Sequence, residues 1–200
     1  MKLITIECIQ SKSFYFIKNR IQILLLVALF SMGFVFSQNE IKGPNGYSND
    51  VGNMISMLDN LKSRVEKHVT NLDQKGTDFL LDDNSNSPGA IIYHLAATEA
   101  YYQVYTFEGR GFNTEEKMKW ETALNLGDKA REEFKNRPIN YYIDIYDDVR
   151  EQTKKILKTK DDEWFKSKMG NMSMHWAWFH VMEHQANHMG QLALITKRIN

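Results

Sequence analysis

The chain has 200 residues, enough for one domain with a substantial hydrophobic core. Its 25 basic and 25 acidic residues cancel, which excludes a general charge-driven affinity for nucleic acid or anionic lipid. The only cysteine is Cys8, so no disulfide, thiol nucleophile or thiolate ligand arises anywhere after it.

Residues 1–37 read as a secretory signal peptide. Lys12, Lys18 and Arg20 form a basic start, ILLLVALFSMGFVF runs apolar from Ile23 to Phe36, and the small Ser37 precedes a polar stretch. The apolar run is short beside the roughly 20 residues of a membrane span. An uncleaved N-terminal anchor is the alternative, and only that form would hold the protein at a membrane. The chain is therefore expected to be exported, to the periplasm or beyond. Residues 38–48 (QNEIKGPNGYS) read as a linker, and 49–200 as one helical domain.

From Asn49 to about Leu72, apolar residues recur at 51, 54/55, 58, 61, 65 and 69, a single stripe on a helix. Residues 73–88 read as a loop. Ser87-Pro88 then fits a helix start, with Ser as cap and Pro in the first turn. This second helix is expected to reach Phe107 and stop at Glu108-Gly109; its few charges mark it as buried on more than one side. The stretch 109–137 is a long connection with short helices expected near Thr114–Leu124 and Asp128–Phe134. A third helix opens at Pro138 and reaches about Lys158. Its stripe is Tyr142, Ile145/Tyr146, Val149, Thr153 and Ile156, and Asp147, Arg150, Glu151, Lys154 and Lys155 read as a solvated face. After a loop over 161–171, the last helix runs from about Ser173 to Arg198. Four main helices with a long crossover between the second and third predict an all-α four-helix bundle.

The last helix carries His180, His184 and His188. Four residues advance a helix by a net angle of about 40° and a rise of about 6 Å. Neighbours in this row can share one ion, but the outer pair is about 12 Å apart along the axis, so the helix supplies two ligands and another element must supply a third. His94 lies among Ile91, Ile92, Leu95, Ala96 and Ala97 in the most apolar helix. A histidine buried there must hydrogen-bond or ligate something. Three histidines would leave an open position on the ion, as at a catalytic zinc. Buried histidines with a purely structural role are the plain alternative.

These residues resemble a known family. SPGAIIYHLAATEAYY is similar to the second-helix signature of the DinB/YfiT-like metalloenzymes, and HVMEHQANHMGQLALITKR to their last-helix signature, H-x3-E/H-H-x3-H-R-G-Q followed by an apolar run and Arg. The resemblance implies the four-helix bundle with its long crossover, and a divalent metal, zinc or nickel, held by His94, His184 and His188. It sets His180 and Gln191 beside the site rather than on the ion, and lets Gly190 serve close helix approach. Met189 stands where the family commonly has Arg, so a contact that Arg would make to an anionic substrate is missing. Characterised members include thiol-dependent transferases and isomerases that use cytoplasmic low-molecular-weight thiols, whereas this chain is expected to be exported.

The expectation is thus an exported, metal-dependent enzyme of hydrolase or transferase type acting on a small molecule, with no nucleic-acid partner. The alternative is a metal-binding or stress-related bundle without catalysis. A homodimer is compatible with the sequence, though no seam identifies one. Glu99 and Glu183 are poorly aimed for a general base, at about 140° and 100° from the nearest ligand on the helical wheel. They are expected to pair with a cation or cap a neighbouring group. His175, Trp176, Trp178 and Phe179 read as core or pocket wall.

Overall fold

The computed structural model describes residues 40–199. The segment read as a signal lies outside the described residues. Among them are eight α-helices: α1 (Asn49–Val69), α2 (Gln74–Thr77), α3 (Pro88–Gln103), α4 (Thr114–Asn125), α5 (Gly127–Glu133), α6 (Ile139–Leu157), α7 (Asp162–Lys166) and α8 (Met174–Thr196). A two-stranded hairpin, β1 (Lys168–Met169) and β2 (Met172–Ser173), pairs Lys168 with Ser173 and Met169 with Met172. The fold is all-α. Four long helices form the bundle, α3 against α6 and α8, and α1 against α8 and α6. Helices α4 and α5 fill the long crossover between the second and third. No helix among the described residues is long and apolar enough to cross a membrane.

Each long helix follows from its sequence. α1 buries Val51, Met54, Ile55, Leu58, Val65 and Val69, the stripe that three- and four-residue spacing sets on one face. α3 has no polar face to offer water. It is buried from Pro88 through Ala100, so it occupies the centre of the bundle. Its start is fixed by Ser87, whose hydroxyl accepts from the Ala90 amide at 3.2 Å, and by Pro88 in the first turn. Gly89 lets the Tyr142 ring of α6 approach: a Cβ there would lie 2.7 Å from Tyr142 Cε2. The helix leaves through a π-helical turn, Val104–Glu108, and stops at Gly109, whose φ of 71° suits glycine.

The crossover is anchored by aromatic packing. Tyr93 of α3 meets Trp120 of α4 at 5.7 Å, Phe134 at 4.8 Å and Tyr142 at 6.1 Å between ring centroids. Asn113 and Glu116 form a reciprocal cap at the start of α4. Two segments read as loops carry structure. Asp73 caps the single turn of α2 by accepting from Gly76, and Asp161 caps α7 by accepting from Trp164. Turns this short bury too little to leave a periodic signal.

Arg150 departs from the sequence expectation. Its side chain is not on a solvated face but 2% exposed. It lies four residues after Tyr146 and three before Thr153, at the edge of the buried stripe. Its Nε and Nη2 donate to the two oxygens of Glu99, each at 2.8 Å. Nη1 donates to Asp59 at 3.1 Å and Nη2 also to Gln185 Oε1 at 3.2 Å. Thr153 donates to Glu99 at 2.6 Å. Partners from α1, α3, α6 and α8 thus satisfy one another in the middle of the bundle. The ligand for Arg150 comes from 51 residues away, which spacing along α6 cannot reveal.

Candidate metal centre

The site forms where the seam between α3 and α8 meets the crossover. α8 begins with the Ser173 hydroxyl accepting from the Trp176 amide at 3.1 Å and continues unbroken to Thr196, so its histidines stand one turn apart. His94 faces it from α3 and is 8% exposed. His184 and His188 are partly exposed, so the cluster opens outward.

The structure brings His94, His184 and His188 together, with one ring nitrogen from each lying within 4.8 Å of the others. His184 Nε2 is 3.0 Å from His94 Nε2 and 3.1 Å from His188 Nε2. Hydrogen bonds at the far sides of two rings fix their tautomers. His94 Nδ1–H donates to the Ala123 carbonyl of α4 at 2.9 Å, and His188 Nδ1–H to Gln191 Oε1 at 3.0 Å. Each neutral ring then presents an Nε2 lone pair to the cluster. A single proton on His184 Nε2 can serve only one of those two lone pairs. A cation can accept from all three nitrogens, so the donor set fits a divalent metal better than it fits a hydrogen-bonded core. Zinc–nitrogen bonds of about 2.0–2.1 Å at tetrahedral angles separate nitrogens by about 3.4 Å, close to the 3.0 and 3.1 Å from His184 to its two neighbours.

The electrostatics agree. Burial lowers the His94 pKa. Burial, with His188, His94 and His180 nearby, pushes His184 down to about 3, and burial with His94 pushes His188 down to about 4. All three are neutral near pH 7, the form in which imidazole binds a metal.

His180 stands one turn outside the cluster, 6.1 Å from His184 between ring centroids. Its Nδ1–H donates to Glu183 Oε1 at 3.0 Å, and its ring lies parallel to Trp176 at 5.3 Å. Glu183 is thus committed to His180, as Glu99 is to Arg150. Gln191 touches His188 rather than the cluster's centre. Gly190 does not serve helix packing among the described residues: it is exposed, and a Cβ there would meet none of them within 4 Å. Among the described residues, the exposed side of α8 faces no other helix at that point. Of the aromatic residues at the start of α8, Trp178 is fully buried, while Trp176 and Phe179 are 49% and 42% exposed. Trp176 walls a groove of about 370 Å³ with Tyr105, Asn171 and Met172.

Sequence reasoning missed the Ala123 carbonyl, a backbone group with no side-chain signature. It also missed the His180–Glu183 pair, which three-residue spacing on a helix does signal.

The family model for mycothiol-S-transferase matches residues 53–200. No curated protein matches the chain. Among solved structures, an uncharacterised protein from Escherichia coli UTI89 is similar, with a TM-score of 0.56 and 13% identity over 74% of this chain and 93% of that one. At that identity the likeness shows the fold alone. The family match spans most of the chain and contains all three clustered histidines, so the chain belongs to the mycothiol-S-transferase family, within the DinB/YfiT-like superfamily.

Proposed function

We propose that this protein is an exported, divalent-metal-dependent enzyme that transfers a small-molecule thiol to an electrophilic substrate. The observation that carries the reading is the convergence of three Nε2 atoms with two tautomers fixed from behind, on a cluster open to one side. His94, His184 and His188 would hold the ion, with zinc and nickel the metals best suited to three imidazoles. When bound, the ion would supply a lowered pKa for a coordinated thiol. The chain has no cysteine after Cys8, so the sulfur must come from a small molecule.

His180 is suited to receive the thiol proton. Its Nδ1–H is held by Glu183, which leaves Nε2 with a lone pair one turn from the cluster. The thiol proton passes to His180 Nε2 and the sulfur bonds the electrophilic carbon. The leaving group departs with the electrons of the bond it breaks. The groove beside Trp176 gives the substrate's apolar part a surface to lie on. Transfer is favoured over hydrolysis by the family and by the commitment of Glu99 to Arg150.

Elemental analysis of the untagged protein tests the reading, alongside His94→Ala and His184→Ala. About one equivalent of metal in the parent, lost in both variants, is the expected result. No metal after incubation with zinc or nickel sinks it. Cell fractionation with N-terminal sequencing tests export, and recovery of the full-length chain in the cytoplasm would overturn that part.

A further inference from the structure

Thr98 stands out when the surroundings of the three histidines are compared. His94 Nδ1 has the Ala123 carbonyl and His188 Nδ1 has Gln191. The hydrogen bonds of His184 run only through Nε2, toward the other two rings, and its Nδ1 makes none to the described residues. If Nε2 gives its lone pair to a cation, the proton of the neutral ring must sit on Nδ1. A metal-bound histidine ordinarily donates that proton to a protein acceptor.

An unused acceptor lies on the facing helix. The Thr98 hydroxyl is buried without a hydrogen-bond partner among the described residues, and the residue is 7% exposed. It follows His94 by one turn, about 40° around α3. One turn further, Tyr102 meets His180 of α8 at 5.8 Å, whereas His94 meets His184 at 4.8 Å. The two helices therefore run antiparallel along this seam, and Thr98 falls opposite the step from His180 to His184. Four other buried side-chain atoms among the described residues lack partners, on Ser48, Asp78, Tyr142 and Trp178. None of them is on the face of α3 that carries His94.

We propose that the Thr98 hydroxyl is the hydrogen-bond acceptor for His184 Nδ1–H when a divalent cation is held by the three Nε2 atoms. This rests on the metal reading above and makes Thr98 a positioning residue. It also gives a buried, unpaired hydroxyl a reason to be there. Valine would fill the same space without the polar group, so a site used only for packing would favour it.

The test measures zinc affinity by competition with a chromophoric chelator, and the melting temperature of the metal-free protein, for the parent, Thr98→Val and Thr98→Ser. Loss of the acceptor should weaken zinc about tenfold in Thr98→Val. Thr98→Ser should stay within about twofold of the parent, because it keeps the oxygen. Metal-free Thr98→Val should melt at the parent's temperature or above it. Weaker binding in a variant that is no less stable is a combination that a packing role does not produce. Zinc affinity in Thr98→Val within about twofold of the parent would overturn the assignment alone. So would equal weakening in Thr98→Val and Thr98→Ser. A parent that binds no zinc overturns the metal reading, and the role of Thr98 with it.

Discussion

Two polar clusters interrupt the apolar core, and both draw on α3 and α8. Around Arg150, charge meets charge: Glu99 takes two of its N–H groups, Asp59 and Gln185 take others, and Thr153 fills a remaining site on Glu99. The histidine cluster does the opposite. Three like groups face one another, the outer nitrogens of His94 and His188 are tied down, and the inner lone pairs have too few protons to share. A closed polar network holds helices in place and asks for nothing more. An arrangement that is pre-aimed yet incomplete asks for a ligand.

The comparison can be broken most forcefully at Arg150. Glu99→Ala should leave a buried guanidinium short of its main partner and cost about 3–5 kcal/mol in urea unfolding. A loss below about 1 kcal/mol would mean that the network is not closed by that pair. Next in size is the histidine side. Zinc at 100 times its Kd should stabilise the parent by about 2.7 kcal/mol, and a chelator should remove that gain. His94→Ala should show no such response in a thermal melt; a retained zinc shift would separate His94 from the site. A smaller effect is expected from Gln191→Ala, which frees the His188 ring. Zinc affinity should fall about tenfold or more, read by chelator competition, with little change in metal-free stability. Smallest of all is Gly190→Ala. Its Cβ would meet open space, so the helix should gain about 0.5–1 kcal/mol with metal binding intact. Destabilisation there would mean that Gly190 is packed against something beyond the described residues.

Most of the fold was legible because it is periodic. The stripes on α1 and α6, the uniform apolarity of α3, and the Ser-Pro start at Ser87 all follow from residue type and spacing. The grouping of His94 with His184 and His188 was legible through the two signatures, since nothing local links residues 90 apart. What stayed hidden was set by tertiary partners. Arg150 looks like any exposed helix arginine until Glu99 is placed opposite it. Thr98 looks like an ordinary core threonine until the bonding of His184 is counted. Gly190 looks like a packing glycine until its surroundings prove open. The alternation of partner and no partner is a property of the folded seam, and no window along the chain contains it.

The hydrogen bond from His94 to the Ala123 carbonyl has one more consequence. The acceptor is main chain, so every amino acid at position 123 would offer the same oxygen. The side chain is fully buried, so only a small one fits. Sequence drift at this position is therefore limited by volume and not by chemistry. Relatives could keep the contact while sharing no recognisable residue for it, and a search for matching side chains would pass over the support behind the innermost histidine.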